Sequence, residues 1–402
     1  MTVLLCVPDI EAPVPILDLA ATNLPEGDAP PVAAPHFVTL WADERVVGLW
    51  RSFRRSDPPL DWKQVRAARD AARPPVPAAR PGEPVSVVIC TRDREAMLDA
   101  CLQTFARQTR RPDQLIVVDN ASRSDGTRAV AERHGVSYVR EDRPGLSHAR
   151  NAGIARALHE IIAFTDDDTL LCPRWLERLT AAFDAAEIWA VTGLVLPASL
   201  DTLAQCIFEC NWGFGRGLEP RDFDRAYYLG TRRTATPVWK LGAGANMALR
   251  RSAVERVGGF EPRLGSGPAG CGDDSEFWYR ILHAGGTCRY EPSAIVRHVH
   301  RDDEWGLRRQ IRSYMCGHVA ALLVQHERTG DRGNLRRVLL SLPSGYLRKS
   351  LIRLRRGPTS ATCLLWEEIL GACSGLGHYL RSRREPVPAI GPALPVSVPV
   401  SS

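Results

Sequence analysis

The sequence predicts an α/β fold, with a mostly parallel open sheet flanked by helices. Between residues 85 and 196, short apolar runs rich in Val and Ile alternate with stretches of helical spacing. This alternation is typical of parallel strands joined by right-handed crossovers. Acidic residues directly follow two of the runs, and open α/β sheets bind ligands at the carboxyl ends of their strands. We therefore expect a ligand site at one edge of the sheet.

Each element follows from a local pattern. Short β-prone runs bounded by polar residues predict strands, and apolar residues recurring every three or four positions predict helices. On the first helix, Met97, Leu98, Cys101, Leu102 and Phe105 share one face. The predicted strands cover residues 85–90, 114–119, 136–139, 160–165 and 188–196, and the predicted helices cover 94–107, 124–134, 146–158 and 173–184.

The chain ends differ from this central region. Residues 1–83 form a small N-terminal appendage, with a β-hairpin of residues 36–41 and 45–50 and a Pro-rich linker, 73–84,. The central domain spans 84–325, and a helical basic C-terminal extension spans 326–384. Residues 385–402 are rich in Pro, Val and Ser and predict a disordered tail,.

Composition narrows the functional class. The 402 residues are 44% hydrophobic and carry a net charge of +6, too mild a charge to indicate nucleic-acid binding,. No apolar run reaches the roughly 18 residues that span a bilayer, and the first residues lack a secretory signal pattern,. The eleven cysteines include no Cys-x-x-Cys pair and favour reduced core thiols,. We expect a cytoplasmic protein.

An acidic triplet, Asp166, Asp167 and Asp168, follows the strand that ends at Thr165. Adjacent carboxylates repel one another, and a bound divalent cation removes that cost. Hard oxygen ligands suit Mg²⁺ or Mn²⁺, which usually also bind substrate phosphates. The triplet thus indicates a metal–diphosphate site. The alternative is a polar loop whose Asp caps the next helix.

Further polar residues fall at the ends of the first two strands. Asp119 closes the second, and Thr91 and Asp93 follow the first. At a sheet edge, such groups can bind a base or ribose. A turn before a helix explains Asp119 equally well.

A second acidic cluster follows a glycine-rich segment. Asp273 lies three residues before Glu276, the spacing of a capping box, so we expect Asp273 to cap a helix and Asp274 to serve as a general base,. Farther upstream, the loop around Gly244 can let the backbone approach a sugar closely or can be a tight turn,. Of His298 and His300, one could complete a metal shell, and we place His300 there; a structural role is the alternative.

Together these residues resemble the family-2 inverting glycosyltransferases, which have the Rossmann-like GT-A fold of nucleotide-diphospho-sugar transferases. The matching motifs run in order over residues 85–320. They are Val85-Ser-Val-Val-Ile-Cys-Thr-Arg-Asp-Arg-Glu, Leu115-Ile-Val-Val-Asp-Asn-Ala-Ser, Arg143-Pro-Gly-Leu-Ser-His-Ala-Arg-Asn-Ala-Gly153, Phe164-Thr-Asp-Asp-Asp-Thr, Gly242-Ala-Gly-Ala-Asn-Met-Ala-Leu-Arg-Arg and Gly272-Asp-Asp-Ser-Glu.

The resemblance implies a role for each site residue. Asp274 is the implied catalytic base, and Asp166 and Asp168 form the implied D-x-D metal pair, with His300 as a candidate further ligand. The implied donor-binding residues are Thr91, Asp93, Asp119, Arg150, Asn151, Asp166 and Asp167, and the implied sugar and acceptor residues are Gly244, Ala245, Asn246 and Asp273. One departure is Asp273-Asp274, where the family more often has Glu-Asp.

The implied activity is metal-dependent inverting transfer of a hexose from a nucleotide-diphospho-sugar to a glycan, lipid-linked or small-molecule acceptor, in polysaccharide, glycolipid or glycoconjugate synthesis. Processive members carry a Gln-x-x-Arg-Trp motif that this chain lacks, so one sugar per acceptor is implied. The alternatives are a sugar-1-phosphate nucleotidyltransferase and a non-catalytic sugar-nucleotide-binding protein. The basic, apolar stretch 347–356 predicts peripheral contact with the inner face of the cell membrane; the alternative is a solvated helix face packed on the core,.

Overall fold

The fold is organised around a nine-stranded mixed sheet within the residues that the computed structural model describes, 9–25, 29–72 and 83–383. Most of the predicted linker and the predicted tail lie outside these residues. In chain order the strands are β1 (Ile16–Ala20), β2 (His36–Ala42), β3 (Arg45–Ser52), β4 (Val85–Thr91), β5 (Gln114–Asn120), β6 (Ser137–Glu141), β7 (Ile161–Asp166), β8 (Thr169–Leu171), β9 (Ile188–Pro197), β10 (Arg221–Phe223), β11 (Asn246–Arg250) and β12 (Thr287–His298).

Helices cover both faces of this sheet and form the C-terminal region. They are α1 (Trp62–Ala71), α2 (Glu95–Thr104), α3 (Gly126–Arg133), α4 (Leu146–Arg156), α5 (Trp175–Ala181), α6 (Leu203–Trp212), α7 (Arg225–Thr231), α8 (Arg251–Val257), α9 (Asp273–Ala284), α10 (Glu304–Thr329), α11 (Arg332–Arg336), α12 (Leu342–Arg356) and α13 (Leu365–Ser382). The predicted apolar face of α2 is confirmed, since Leu98, Cys101 and Leu102 are buried. None of the described helices is long and apolar enough to cross a bilayer.

The parallel half of the large sheet aligns three site residues. Strands β7, β4, β5 and β6 are neighbours in that order and pair in parallel. Cys90 pairs with Asp166, and Thr91 pairs with Asp119. The carboxyl ends of these strands therefore meet at one edge, as the sequence predicts.

The other half makes the sheet more mixed than predicted. Strand β11 lies antiparallel between β7 and β9, so the predicted strand 188–196 is not the direct neighbour of β7. Asn246 pairs with Thr165 at the start of β11. This antiparallel insertion brings the glycine loop before β11 to the acidic end of β7.

The N-terminal segment forms a separate three-stranded sheet. The predicted hairpin is confirmed as β2 and β3, and β1 adds in parallel to β2. Arg297 on β12 binds the Asp18 carboxylate at 2.7 and 2.8 Å. Glu44, in the hairpin turn, pairs with Arg174 at 3.0 Å. Ion pairs thus join the small sheet to the main domain.

The C-terminal region is helical, as predicted. Helix α10 runs without a break through residue 325, where we expected a domain boundary, and α13 packs along it. Gly371 and Gly375 make this packing close, because an added Cβ at either would lie 2.3 Å from a carbonyl oxygen of α10. The proposed division of the chain into domains remains a prediction.

Candidate active site

The three aspartates of the acidic triplet lie at the turn between β7 and β8 and have different surroundings. Asp166 is the most open of the three, with 31% of its side chain exposed. Asp167 accepts a hydrogen bond from the Thr91 hydroxyl at 2.7 Å. Arg94 donates one Nη1 bond to Asp167 at 2.8 Å and another to Asp168 at 2.9 Å. One guanidinium therefore neutralises part of the triplet and leaves Asp166 facing the cavity.

Burial and mutual repulsion raise the pKa of two members of the triplet. For Asp166, burial is the larger cause and the neighbouring aspartates add to it, so its pKa rises to about 7 despite the nearby Arg150. Burial and the charge of Asp168 raise the pKa of Asp167 to about 6. A cation at this edge would favour the ionised form of Asp166.

Arg150 on α4 links the two acidic clusters. Its guanidinium is 3% exposed and donates to Asp273 at 2.6 Å, while its other terminal nitrogen lies 3.5 Å from Asp166. Its acidic neighbours raise the pKa of Arg150 even though burial opposes this. Burial raises the pKa of Asp273, and Arg150 opposes that rise. The buried guanidinium of Arg150 thus fixes the position of Asp166 relative to the start of α9.

The predicted capping role of Asp273 is wrong. Helix α9 begins after Gly272, which has a φ of 91° and no side chain to cap with. Asp273 lies inside the first turn and turns to Arg150, while Glu276 pairs with Arg280 at 2.8 Å. The left-handed glycine starts the helix one residue earlier than the capping-box pattern indicates.

Asp274 faces the glycine loop before β11. Its Oδ2 accepts a hydrogen bond from the Gly244 amide at 2.8 Å, and its Oδ1 accepts one from the Ser275 amide at 2.6 Å. A Cβ at residue 244 would lie 2.7 Å from an Arg150 nitrogen and 3.0 Å from Asp274 Oδ2. Glycine therefore keeps the loop close to both side chains, and contact between the loop and a sugar remains a prediction.

Asn246 does not belong to this open surface. It is completely buried; its Oδ1 accepts from the Trp175 indole at 2.8 Å, and its Nδ2 donates to the carbonyl oxygens of Leu194 and Ala294. Its side-chain polar atoms are thus all bonded within the protein, to α5, β9 and β12. The predicted contact between Asn246 and an acceptor is therefore corrected to a structural role, because the residue starts β11 inside the sheet.

A cavity of about 1110 Å³ joins the second acidic cluster to the C-terminal helices. Asp166, Gly244, Ala245, Asp273 and Asp274 line one side, together with Arg150. Side chains from α10, α12 and the segment between β10 and β11 line the other. Parts of the chain outside the parallel half of the sheet therefore form one wall of the cavity.

His298, rather than the predicted His300, lies beside the acidic triplet. Its Nε2 is 3.4 Å from Asp168, and burial lowers the pKa of His298 to about 4, so the ring is neutral at pH 7. His300 turns away to Glu209, at 3.1 Å. The two residues are two positions apart and lie on one side of the extended segment, where their Nδ1 atoms are 3.0 Å from each other,.

The donor set suits a metal that shares its shell with a substrate. No three His, Cys, Asp or Glu side chains gather around one point in the described ranges. Mg²⁺ is usually held by one or two carboxylates plus substrate phosphates, and the open Asp166 fits that arrangement,. Asp168 is buried against Arg94 and His298 and does not line the cavity.

The remaining predicted donor residues have protein partners. Asp119 accepts from Tyr138 at 2.7 Å and from Arg140 at 3.2 Å and is fully buried. Asp93 accepts from the Arg123 amide at 2.8 Å. Asn151 makes two hydrogen bonds to the backbone of Phe260 and does not line the cavity. Asp93 and Asp119 lie at the predicted sheet edge, whereas Asn151 stabilises a loop.

Sequence reasoning missed two groups of residues. Arg94 binds two members of the triplet, and its position three residues after Thr91 is the only local signal for it. Trp239, His318 and Arg337 line the far side of the cavity. They come from distant segments, and no local pattern connects them.

Residues 86–258 match the family described as glycosyl transferase family 2. Over this segment, which is less than half of the chain, the protein is similar to family-2 glycosyltransferases. Among solved structures, the mannosyltransferase PcManGT from Pyrobaculum calidifontis, in complex with GDP-Man and Mn²⁺, matches with a TM-score of 0.50 at 19% identity. The match covers 78% of this chain and 94% of that one. This likeness shows that the two share a fold.

Two curated relatives are also glycosyltransferases. Validoxylamine A glucosyltransferase from Streptomyces hygroscopicus subsp. limoneus is 36% identical over 116 residues, which is 27% of this chain and 26% of that protein. Glycosyltransferase AglE from Haloferax volcanii is 25% identical over 236 residues, which is 57% of this chain and 71% of that protein. The chain therefore spans about a quarter of the first relative.

Proposed function

We propose that this chain transfers one sugar from a nucleotide-diphospho-sugar to an acceptor hydroxyl, with inversion, in the synthesis of a polysaccharide, glycolipid or glycoconjugate. The observation that carries the proposal is the shared cavity of Asp166 and Asp274. Arg150 and Asp273 join the two through buried contacts. A diphosphate-binding carboxylate and a base thus border one space, within a domain of the matching family.

Asp166 and Asp168 are the residues that would hold Mg²⁺ or Mn²⁺. The cation would neutralise the charge that develops on the leaving nucleoside diphosphate. The neutral imidazole of His298, 3.4 Å from Asp168, is placed to orient that carboxylate,. The Mn²⁺ bound by the mannosyltransferase of the same fold supports this assignment.

Asp274 is the proposed general base. Two backbone amides fix its carboxylate, and each carboxylate oxygen keeps a further lone pair that can accept the proton of an acceptor hydroxyl,. The activated oxygen then attacks the anomeric carbon opposite the leaving diphosphate, whose bond to that carbon breaks. The configuration inverts without a covalent enzyme intermediate.

Donor binding tests the proposal. Melting temperatures should rise with one of UDP-, GDP- or dTDP-sugars in Mn²⁺, and EDTA should remove the shift. Ligand at a hundred times its dissociation constant stabilises a protein by about 2.7 kcal/mol. Calorimetry should show that Asp168→Asn weakens metal-dependent binding far more than Asp167→Asn, the matched control. Equal donor affinity in EDTA and Mn²⁺ would contradict the metal site.

We also propose peripheral contact between α12 and an anionic membrane surface. None of its residues is buried, and Leu347, Leu351 and Leu354 are 63%, 46% and 83% exposed. Arg348, Arg355 and Arg356 accompany them, and each cation near an anionic surface contributes about 1 kcal/mol. Flotation with phosphatidylglycerol vesicles at low salt should carry the protein upward. Protein left at the bottom of the gradient would refute the contact.

A further inference from the structure

Three carboxylates line one side of the cavity together with Arg150, and two further guanidiniums line another part of it. Asp166, Asp273 and Asp274 border the side with the proposed chemistry. Across it lie Arg216 and Arg337, with Trp239 between them and His318 behind. We call these last four residues the basic end of the cavity. A space so polarised favours a ligand that carries a negative charge at one end.

Arg337 is held in place with its terminal donors free. Its Nε donates to His318 at 3.0 Å, and its guanidinium stacks over the Trp239 ring at 4.2 Å. Burial lowers the pKa of His318 to about 3, so the imidazole is a neutral acceptor. Neither Nη1 nor Nη2 of Arg337 meets an acceptor within the described part of the chain. Arg337 lines the cavity, and its two terminal nitrogens are thus available to a ligand there.

Arg216 adds a second positive charge, and four hydrogen bonds to backbone carbonyl oxygens leave it at most one open donor,. Its guanidinium donates to the backbone carbonyl oxygens of Gly213, Gly215 and Trp239, at 2.8 to 3.2 Å. Burial lowers the pKa of both Arg216 and Arg337. In the ranges described, neither has a carboxylate within ion-pair distance, whereas the nearby Lys349 is paired with Glu368. Two partly desolvated charges thus have no carboxylate paired directly with them, although Glu209 and Asp274 act on Arg216 from farther away.

We propose that the basic end of the cavity binds a phosphate group of the acceptor, with Arg337 as the specificity-determining residue. A guanidinium with two parallel free donors matches the geometry of phosphate oxygens. The acceptor hydroxyl then lies on the acidic side, toward Asp274, and its phosphate lies toward Arg337. The assignment of this ligand as acceptor rests on the proposed function.

Phosphate binding can be measured without transfer. The protein is first saturated with Mn²⁺ and UDP, so that the donor diphosphate site is filled, and glycerol phosphate is then titrated by calorimetry, with glycerol as the neutral control. Arg337→Gln should weaken binding about tenfold to a hundredfold, and Arg337→Lys should retain part of it. Arg336→Gln is the matched control, because Arg336 is exposed and does not line the cavity.

A second arm uses vesicles that contain lysophosphatidic acid. Arg337-dependent binding in solution supports a soluble phosphorylated acceptor, and Arg337-dependent binding to the vesicles alone supports a phospholipid-linked one. Phosphate affinities that are equal in the native chain, Arg337→Gln and Arg336→Gln overturn the proposal, provided that all three have the same melting temperature without ligand. The same titration is repeated without nucleotide. If the proposed function fails, no donor binds, but phosphate binding still depends on Arg337; this outcome differs from failure of the phosphate proposal.

Discussion

Asp273 and Asp274 are neighbours in sequence but have different partners. Asp273 is 3% exposed and pairs with the buried Arg150, whereas Asp274 lines the cavity and accepts from two backbone amides. The first fixes a charge network, and the second presents a carboxylate to a ligand. Substitution by Asn should therefore affect different properties at the two positions.

Asp274→Asn should abolish most transfer while donor affinity is retained. An amide keeps the shape of the side chain but cannot take the acceptor proton, and loss of a general base typically costs about 10² to 10⁴ in rate. Initial rates with the donor selected by thermal shift, and calorimetry with its nucleotide, measure the two quantities. Transfer at the native rate, or a product that keeps the donor's anomeric configuration, would contradict the base and the inverting mechanism.

Asp273→Asn should instead mainly lower stability. It removes the closest counter-charge of Arg150, and breaking a buried ion pair costs roughly 3 kcal/mol. Urea unfolding followed by circular dichroism gives the change in free energy of unfolding. A variant as stable as the native chain would show that Asp166 alone compensates the Arg150 charge.

At the scale of elements, close helix packing positions the start of α9. Gly317 on α10 lies against the loop before α9, and an added Cβ there would be 2.3 Å from the Cys271 carbonyl oxygen. Gly272 faces the same place, with its added Cβ 2.9 Å from the Gly317 carbonyl oxygen. The position of Asp274 thus depends on a helix that begins 30 residues later.

Gly317→Ala should lower both the melting temperature and the transfer rate, because backbone must move to admit the methyl group. Helix propensity alone would favour Ala by about 1 kcal/mol. Gly345→Ala on α12 is the matched control, since in the described ranges no atom beyond its chain neighbours and its own helix backbone lies within 4 Å of its added Cβ. We expect that variant to be slightly more stable than the native chain. Equal effects of the two substitutions in thermal melts would contradict the close contact.

At the scale of the whole molecule, a buried ionic network joins the main domain to α10. Glu261 is 1% exposed and accepts from Arg263 at 2.9 Å and from Arg328 at 2.6 Å. Burial alone would raise the pKa of Glu261, but the two guanidiniums outweigh it and lower the pKa to about 2. The network therefore makes stability depend on pH.

The contribution of Glu261 should be present near neutral pH and lost in acid. Its pKa is lower in the folded state than the usual 4.5, so the unfolded chain binds the proton first as pH falls,. The pKa difference corresponds to about 3 kcal/mol, of which more than half is lost by about pH 3. Urea unfolding of the native chain and Glu261→Gln should show a gap that narrows from pH 7 to pH 3. A gap independent of pH would contradict the network.

The sequence by itself determined the parallel core and its ligand edge. Apolar runs such as residues 161–165 are buried wherever they pair, so local pattern is enough to predict β4 to β7 and the position of Asp166 and Asp119 at their ends. The same holds for the N-terminal hairpin and the C-terminal helices. These features depend on residues that are close in sequence, so local sequence patterns predict them.

Only the tertiary structure decided which side chains at that edge bond to other parts of the protein and which lie beside the cavity. Asn246 and His300 turn into the protein because strands and helices distant in sequence present their polar atoms there, whereas His298 and Asp274 remain beside the cavity. The antiparallel insertion of β11 and the packing of α10 bring these groups together. Each such contact joins positions tens of residues apart, and a local sequence pattern does not show which distant residues meet.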